Sequence, residues 1–231
     1  MMQRYAIYFA PALGSPWWEF GSRWLGRDEF QNIDRVQHTL AQIGTAELKE
    51  ITAQPRRYGF HATLKAPFRL RDGVTVENLV TRLNALAARL KPVALGSMQA
   101  SLLGDFVALQ PSSTPVELMA LAAVCVTELD DLRAPLIDAD HARRRLEHLD
   151  PRERELLQQY GYPYVLERFR FHLTLSGPVP QAMAQRVLQA VAEPLAQLNA
   201  STPLVLDRVC LFVEPAPGQA FCRVAEVVPG A

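Results

Sequence analysis

One short phrase occurs twice in this chain. Gly59-Phe60-His61-Ala62-Thr63-Leu64 and Arg170-Phe171-His172-Leu173-Thr174-Leu175 share the pattern Phe-His-x-Thr-Leu, and the two histidines lie 111 residues apart in a chain of 231. In a strand, residues i and i+2 share a face. Each phrase therefore aims one imidazole and one hydroxyl the same way, while Phe60, Ala62, Leu64 and Phe171, Leu173, Leu175 face apolar cover. A polar pair set twice into apolar sequence at half-chain spacing points to a duplicated unit, with one site where the two copies meet.

The segments around the phrases repeat as well. Each half reads as a His-x-Thr strand, a Pro-containing turn, a long amphipathic helix and a two-strand hairpin. In the first half these are residues 60–64, a helix over 75–90, and strands over 93–103 and 106–110 around Gly104-Asp105. In the second half they are a strand within 165–175, a helix from 181 to about 198, and strands over 203–214 and 220–227. Residues 4–10 form an N-terminal strand. Ser15-Pro16 opens a helix to Leu25 whose Trp17, Phe20, Gly21 and Trp24 share a core face. A short helix over 45–52 precedes the turn that carries Arg56, Arg57 and Tyr58. Residues 115–131 form a further amphipathic helix, and Asp150-Pro151 opens a charged one that stops before Gly161. These expectations place one lobe over residues 1–112, a helical connector over 113–163 and a second lobe over 164–231, with the N-terminal strand free to pair across lobes.

Histidine moves protons near neutral pH better than any other side chain. Two of them facing one cleft suit a displacement at a phosphodiester: one imidazole deprotonates the attacking oxygen and the other protonates the leaving one. The Thr63 and Thr174 hydroxyls, with Lys65 or Arg57, would steady charge on the non-bridging oxygens. That chemistry asks for no metal and no cofactor. His38, His141 and His148 lack such company and read as surface or helix residues. No third ligand stands at zinc spacing, and no dinucleotide fingerprint, P-loop or Gly-x-Ser-x-Gly run is present.

Lys and Arg number 24 against 24 Asp and Glu, which argues against bulk attraction to long nucleic acid or anionic membrane. Three cysteines, Cys125, Cys210 and Cys222, have no ligand spacing and read as free thiols of a reducing compartment. Without a leader-like or bilayer-length apolar run, the expected location is the cytoplasm. Arg143-Arg144-Arg145 reads as a solvated helix face, with a phosphate clamp at a cleft rim as its alternative.

With these residues in view, the chain resembles the two-histidine (2H) phosphoesterase superfamily, which includes RNA 2',3'-cyclic phosphodiesterases. The stretches Arg4-Tyr5-Ala6-Ile7-Tyr8-Phe9, Gly21-Ser22-Arg23-Trp24-Leu25-Gly26, Arg57-Tyr58-Gly59-Phe60-His61-Ala62-Thr63-Leu64-Lys65-Ala66-Pro67-Phe68 and Phe169-Arg170-Phe171-His172-Leu173-Thr174-Leu175-Ser176-Gly177 are similar to its DUF1045 branch, whose members often accompany phosphonate-utilisation operons. The resemblance implies an α+β, bilobal duplication: two antiparallel sheets, each backed by helices, around a central cleft. It implies His61, Thr63, His172 and Thr174 as the catalytic core, and Tyr5, Tyr58, Lys65 and Arg170 as substrate contacts. The expected activity is a metal-independent phosphodiesterase, a hydrolase acting on a small cyclic phosphodiester. A 2',3'-cyclic nucleotide or RNA-end phosphodiesterase and a non-catalytic phosphate-binding module are the alternatives.

Overall fold

The computed structural model describes residues 3–138, 140, 146–228 and 230. The Arg143-Arg144-Arg145 run and His141 lie outside the described residues. The fold is mixed α/β, with several antiparallel sheets and, among the described residues, six α-helices. None of these helices is long and apolar enough to cross a membrane.

Strand β1 (Arg4–Phe9) pairs with β4 (Ala62–Phe68) on one side and with β10 (Val209–Glu214) on the other. β11 (Cys222–Val227) closes this sheet in the order β11-β10-β1-β4. A second sheet runs β6-β7-β8, from Met98–Leu103, Phe106–Pro111 and Leu173–Pro178. The pairing crosses the sequence halves. The first phrase leads into a strand that shares a sheet with the C-terminal hairpin, and the second lies beside the hairpin of the first half. Strands from residues 4–68 and 209–227 thus share one sheet, and strands from 98–111 and 173–178 share another.

Local sequence explains most element ends. Helix α1 (Pro16–Leu25) starts where the Ser15 hydroxyl accepts from the Trp18 N–H at 3.2 Å, and it stops at Gly26, which is left-handed at φ 75°. Helix α3 (Val76–Ala87) is boxed by Thr75 and Asn78. Helix α5 (Pro151–Tyr160) is capped by Asp150 and ends at Gly161, again left-handed. Gly104-Asp105 makes a two-residue hairpin turn, with Leu103 opposite Phe106. Helix α2 (Thr45–Arg56) runs four residues past its expected end, because Pro55 sits in its last turn rather than stopping it. The expected strand over 93–103 is two pieces, β5 (Val93–Ala94) and β6, broken by the positive φ of Gly96. Residues 203–214 divide likewise, into β9 (Val205–Leu206) and β10. Each histidine precedes its strand: β4 begins at Ala62 and β8 at Leu173.

Helices α4 (Val116–Thr127) and α6 (Gln181–Ser201) and β2 (Arg27–Asp28) with β3 (Ile33–Asp34) complete the described elements, together with short 3-10 turns. Phe60, Phe171, Trp17, Trp24, Leu64 and Leu175 are all buried in one continuous core. Helix α1 touches both phrases within it. The Trp24 indole N–H donates to the Leu175 carbonyl at 2.8 Å. On the same helix, a Cβ added at Gly21 would meet the Phe60 ring at 2.0 Å.

That last contact fixes a sign. Gly to Ala in an open helix gains roughly 0.5–1 kcal/mol, whereas forcing a methyl into a closed core costs typically 1–3 kcal/mol. Phe60 is fully buried and has nowhere to go. Gly21→Ala is expected to destabilise the protein by about 1–3 kcal/mol in urea unfolding; an unchanged or raised midpoint would show that helix α1 does not rest on the first phrase.

Candidate functional site: a cleft lined by two imidazoles and four arginines

His61, Thr63, His172 and Thr174 all line one cleft of about 650 Å³. Tyr58, Tyr8, Phe106, Tyr160 and Tyr162 supply aromatic wall, and Arg4, Arg57, Arg69 and Arg133 supply charge, against Asp105 and Asp140. A lining with more guanidinium than carboxylate favours anionic ligands. Strand register accounts for both threonines. Thr63 stands opposite Tyr8 and Thr174 opposite Ala108, each next to the residue that pairs beyond its own histidine.

The two imidazoles are held in the same way. His61 Nδ1 lies 2.9 Å from the Gly59 carbonyl, and His172 Nδ1 lies 2.8 Å from the Arg170 carbonyl. A carbonyl only accepts, so both Nδ1 atoms carry the hydrogen, and in the neutral rings both Nε2 atoms keep a bare lone pair. On the first ring this atom stands 3.4 Å from the Thr63 hydroxyl. Gly59 is what this turn requires. It sits at φ 77°, and a Cβ there would meet Glu29 Cβ at 2.6 Å. The His61 ring stacks on Tyr8 at 3.9 Å between centroids, and His172 leans on Phe106 at 5.7 Å.

Burial is the first cause of the electrostatics here. It pulls the His61 pKa down to about 4; the Gly59 hydrogen bond works against it, and positive charge on His172 adds to it. Burial also lowers His172, opposed by the Arg170 carbonyl. Both rings are therefore neutral at pH 7. On the arginine wall, Arg4 and Arg57 both bind the fully buried Glu214. Arg133 places Nε and Nη2 on Asp130, and Arg69 donates to Asp140 at 2.7 Å. Among the described residues no three His, Cys, Asp or Glu side chains gather closely enough to hold a metal ion.

Three of the expected substrate contacts are elsewhere. Tyr5 belongs to the apolar core and donates its hydroxyl hydrogen to Gln3 Oε1 at 2.7 Å. Its alternation along β1 points it away from Tyr8's face of the sheet. Lys65 is 3% exposed and spends its ammonium on the Val126 carbonyl and on Asp130 at 2.8 Å, tying β4 to the residues after α4. Arg170 is exposed and lines a separate, smaller depression with Gln99 and Gln110; only its carbonyl serves the site, as the His172 acceptor. Tyr58 does line the cleft. His38, expected at the surface, is half-buried beside the Phe20 ring, with its Nε2 buried and unbonded among the described residues. His148 is exposed as expected. Cys125 and Cys210 are buried and Cys222 half-buried, all free. The residues missed by sequence reading are chiefly Arg4, Tyr8, Arg69 and Arg133. Period-2 alternation along β1 was the one available signal, since it puts Tyr8 opposite in face to Ile7 and Phe9.

Comparison with known proteins adds the following. The family described as "Protein of unknown function (DUF1045)" matches residues 63–222, more than half of the chain. A protein of Janthinobacterium sp. (strain Marseille), named "Ribose 1,5-bisphosphate phosphokinase PhnN", is 41% identical over 223 residues, covering 95% of this chain and 49% of the relative. A protein of Laribacter hongkongensis (strain HLHK9) with the same name is 36% identical over 223 residues, covering 96% of this chain and 51% of the relative. The chain thus spans about half the length of the curated relatives it matches. These names correct the expected activity. The relatives are enzymes named as phosphokinases, not as phosphodiesterases or hydrolases, so the cyclic phosphodiesterase expectation and its nucleotide or RNA-end alternative are set aside.

The depressed imidazoles carry a measurable consequence. The folded state holds these protons less tightly than the unfolded chain, so stability is fully present above about pH 6.5 and falls as pH drops from there towards 4. In an NMR titration the His61 ring signals are expected to move with a midpoint near about 4. A midpoint at or above the ordinary 6.5 would mean that the ring is not buried against Tyr8 as described.

Proposed function

The chain belongs to the DUF1045 family, and from that premise we propose that its cleft binds a small phosphorylated sugar of the ribose bisphosphate class. On this reading His61 and His172 handle protons at one phosphate group, and Thr63 and Thr174 donate to its oxygens. The supporting observation is the pair of backbone-tied imidazoles, each presenting Nε2 to one arginine-lined cleft. The ligand class comes from the name shared by the relatives, ribose 1,5-bisphosphate phosphokinase. The two matching phrases and their repeated surroundings are read as a bilobal duplication of the two-histidine type, put here to phosphoryl-group chemistry.

The reading gives this chain the sugar-phosphate side of that chemistry. A nucleoside triphosphate is commonly cradled by Gly-x-x-x-x-Gly-Lys followed by Ser or Thr, and the sequence contains no such run. The sugar phosphate needs something different. Its phosphate must be held still, by hydrogen-bond donors. A neutral imidazole whose Nδ1 is already committed becomes such a donor only by taking up a proton on Nε2.

The same geometry forces a proton into the complex. A phosphate monoester has its second pKa near about 6, so at pH 7.5 it arrives mostly as a dianion. Two bare Nε2 lone pairs cannot face dianionic oxygens unless a proton lies between them. Calorimetric titration of ribose 1,5-bisphosphate at pH 7.5, repeated in buffers of different ionisation enthalpy, is therefore expected to show saturable binding with net proton uptake. His61→Ala and His172→Ala should each weaken binding by about 10- to 100-fold, the worth of a hydrogen bond to a charged group. Wild-type affinity in both variants, or heats independent of buffer, would contradict the reading.

A further inference from the structure

The guanidinium groups of the cleft are not equivalent. Arg133 is spent: Nε and Nη2 sit on Asp130, Nη1 on the Ala134 carbonyl, and Nη2 also reaches the Gln159 carbonyl. Arg69 is matched with Asp140 and the Pro135 carbonyl. Arg4 and Arg57 differ, because two cations share one carboxylate. Arg4 Nε binds one oxygen of Glu214 and Arg57 Nη2 binds the other. The Gly218 N–H adds a third hydrogen bond at 3.0 Å. Glu214 is fully buried, while the two arginine side chains remain 18% and 30% exposed. One positive charge is left over, and it lies on the open side.

Both side chains line the cleft and keep unused donors. Arg57 gives its Nε to the Gln219 carbonyl at 2.9 Å, which leaves Nη1 without a hydrogen bond among the described residues; Arg4 leaves both Nη1 and Nη2. Neither group is loose. Phe221, fully buried, lies beneath both at 5.8 and 5.9 Å, and Tyr58 lies beneath Arg57 at 5.3 Å. Guanidiniums stacked on rings and pinned through one edge keep the other edge preorganised for a planar or tetrahedral anion. Tyr58 also stands 5.9 Å from the His61 ring, so a single aromatic side chain separates this pair from the imidazole.

We propose that Arg4 and Arg57, clamped on Glu214, form a second phosphate subsite beside the imidazole pair, and that the cleft is thereby built for a sugar carrying two phosphates rather than one. The inference rests on the ligand class proposed above and adds to it how two phosphates are told from one. The alternative role of the triad is bracing alone, joining β1, the end of α2 and β10, and that role predicts no effect on ligand choice.

The test compares ribose 1,5-bisphosphate with ribose 5-phosphate by calorimetry on the full chain and on Arg57→Gln. Arg4 and the Gly218 N–H still serve Glu214 in this variant. Wild type should prefer the bisphosphate by about 10- to 100-fold, the contribution of charge-assisted hydrogen bonds to a second phosphate. Arg57→Gln should reduce that preference about tenfold or more. Equal wild-type affinity for the two ligands overturns the subsite, as does an unchanged preference in Arg57→Gln. If the variant does not fold, the wild-type preference decides alone. Binding of neither ligand by wild type removes the ribose bisphosphate reading itself, and the subsite with it.

Discussion

Helix α1 is the splint on which the site depends. It meets the first phrase where Gly21 lets the Phe60 ring close against the helix backbone, and the second where Trp24 donates to the Leu175 carbonyl. Those two phrases enter different sheets, so no strand pairing sets the spacing of the histidines directly. A helix whose one face is committed to both does so instead. Phe9 adds a further link, its ring lying 6.0 Å from that of Phe171. The side chains between the polar positions are thus not filler. Phe60, Leu64, Phe171 and Leu175 are anchors that turn a flexible His-x-Thr sequence into a fixed projection.

Given fixed backbones, a second interaction sets the chemistry. Each imidazole folds back to the carbonyl two residues earlier, and that one hydrogen bond selects both the tautomer and the direction of Nε2. Burial then keeps the rings neutral, beside a wall rich in guanidinium. Positive walls lower an imidazole pKa; an arriving phosphate raises it. The cleft thus holds two uncharged proton acceptors; on the proposed reading a bound phosphate group supplies the field that protonates them. On that reading, proton uptake and anion binding are coupled through the same two nitrogens.

Much of this was legible in the residues alone. The paired phrases named four side chains that meet in one cleft, and Ser15-Pro16, Asp150-Pro151 and Gly161 marked two helix starts and one helix end. What failed did so for identifiable reasons. Lys65 lies two residues after Thr63, so strand alternation sends it to the polar side, but the β4 register is irregular between Ile7 and Tyr8 and its ammonium finds Asp130 instead. Arg4 and Arg133 reach the cleft from the start of β1 and from the segment after α4, and no local pattern records a meeting over such separations. The sheets interleave the halves because β1 pairs with both β4 and β10, a choice made by tertiary packing rather than by neighbouring sequence. The phrase itself specifies paired imidazoles and hydroxyls, not which reaction they serve, and so the expectation of a hydrolase did not survive the names of the relatives.

On the proposed reading the two Nε2 atoms address one phosphate group. A crystal structure of the protein soaked with ribose 1,5-bisphosphate tests it most directly. Phosphate oxygens are expected within hydrogen-bonding distance, about 2.6–3.2 Å, of both His61 Nε2 and His172 Nε2. A sugar phosphate bound away from both rings, or imidazoles turned so that Nε2 meets the backbone, would contradict it.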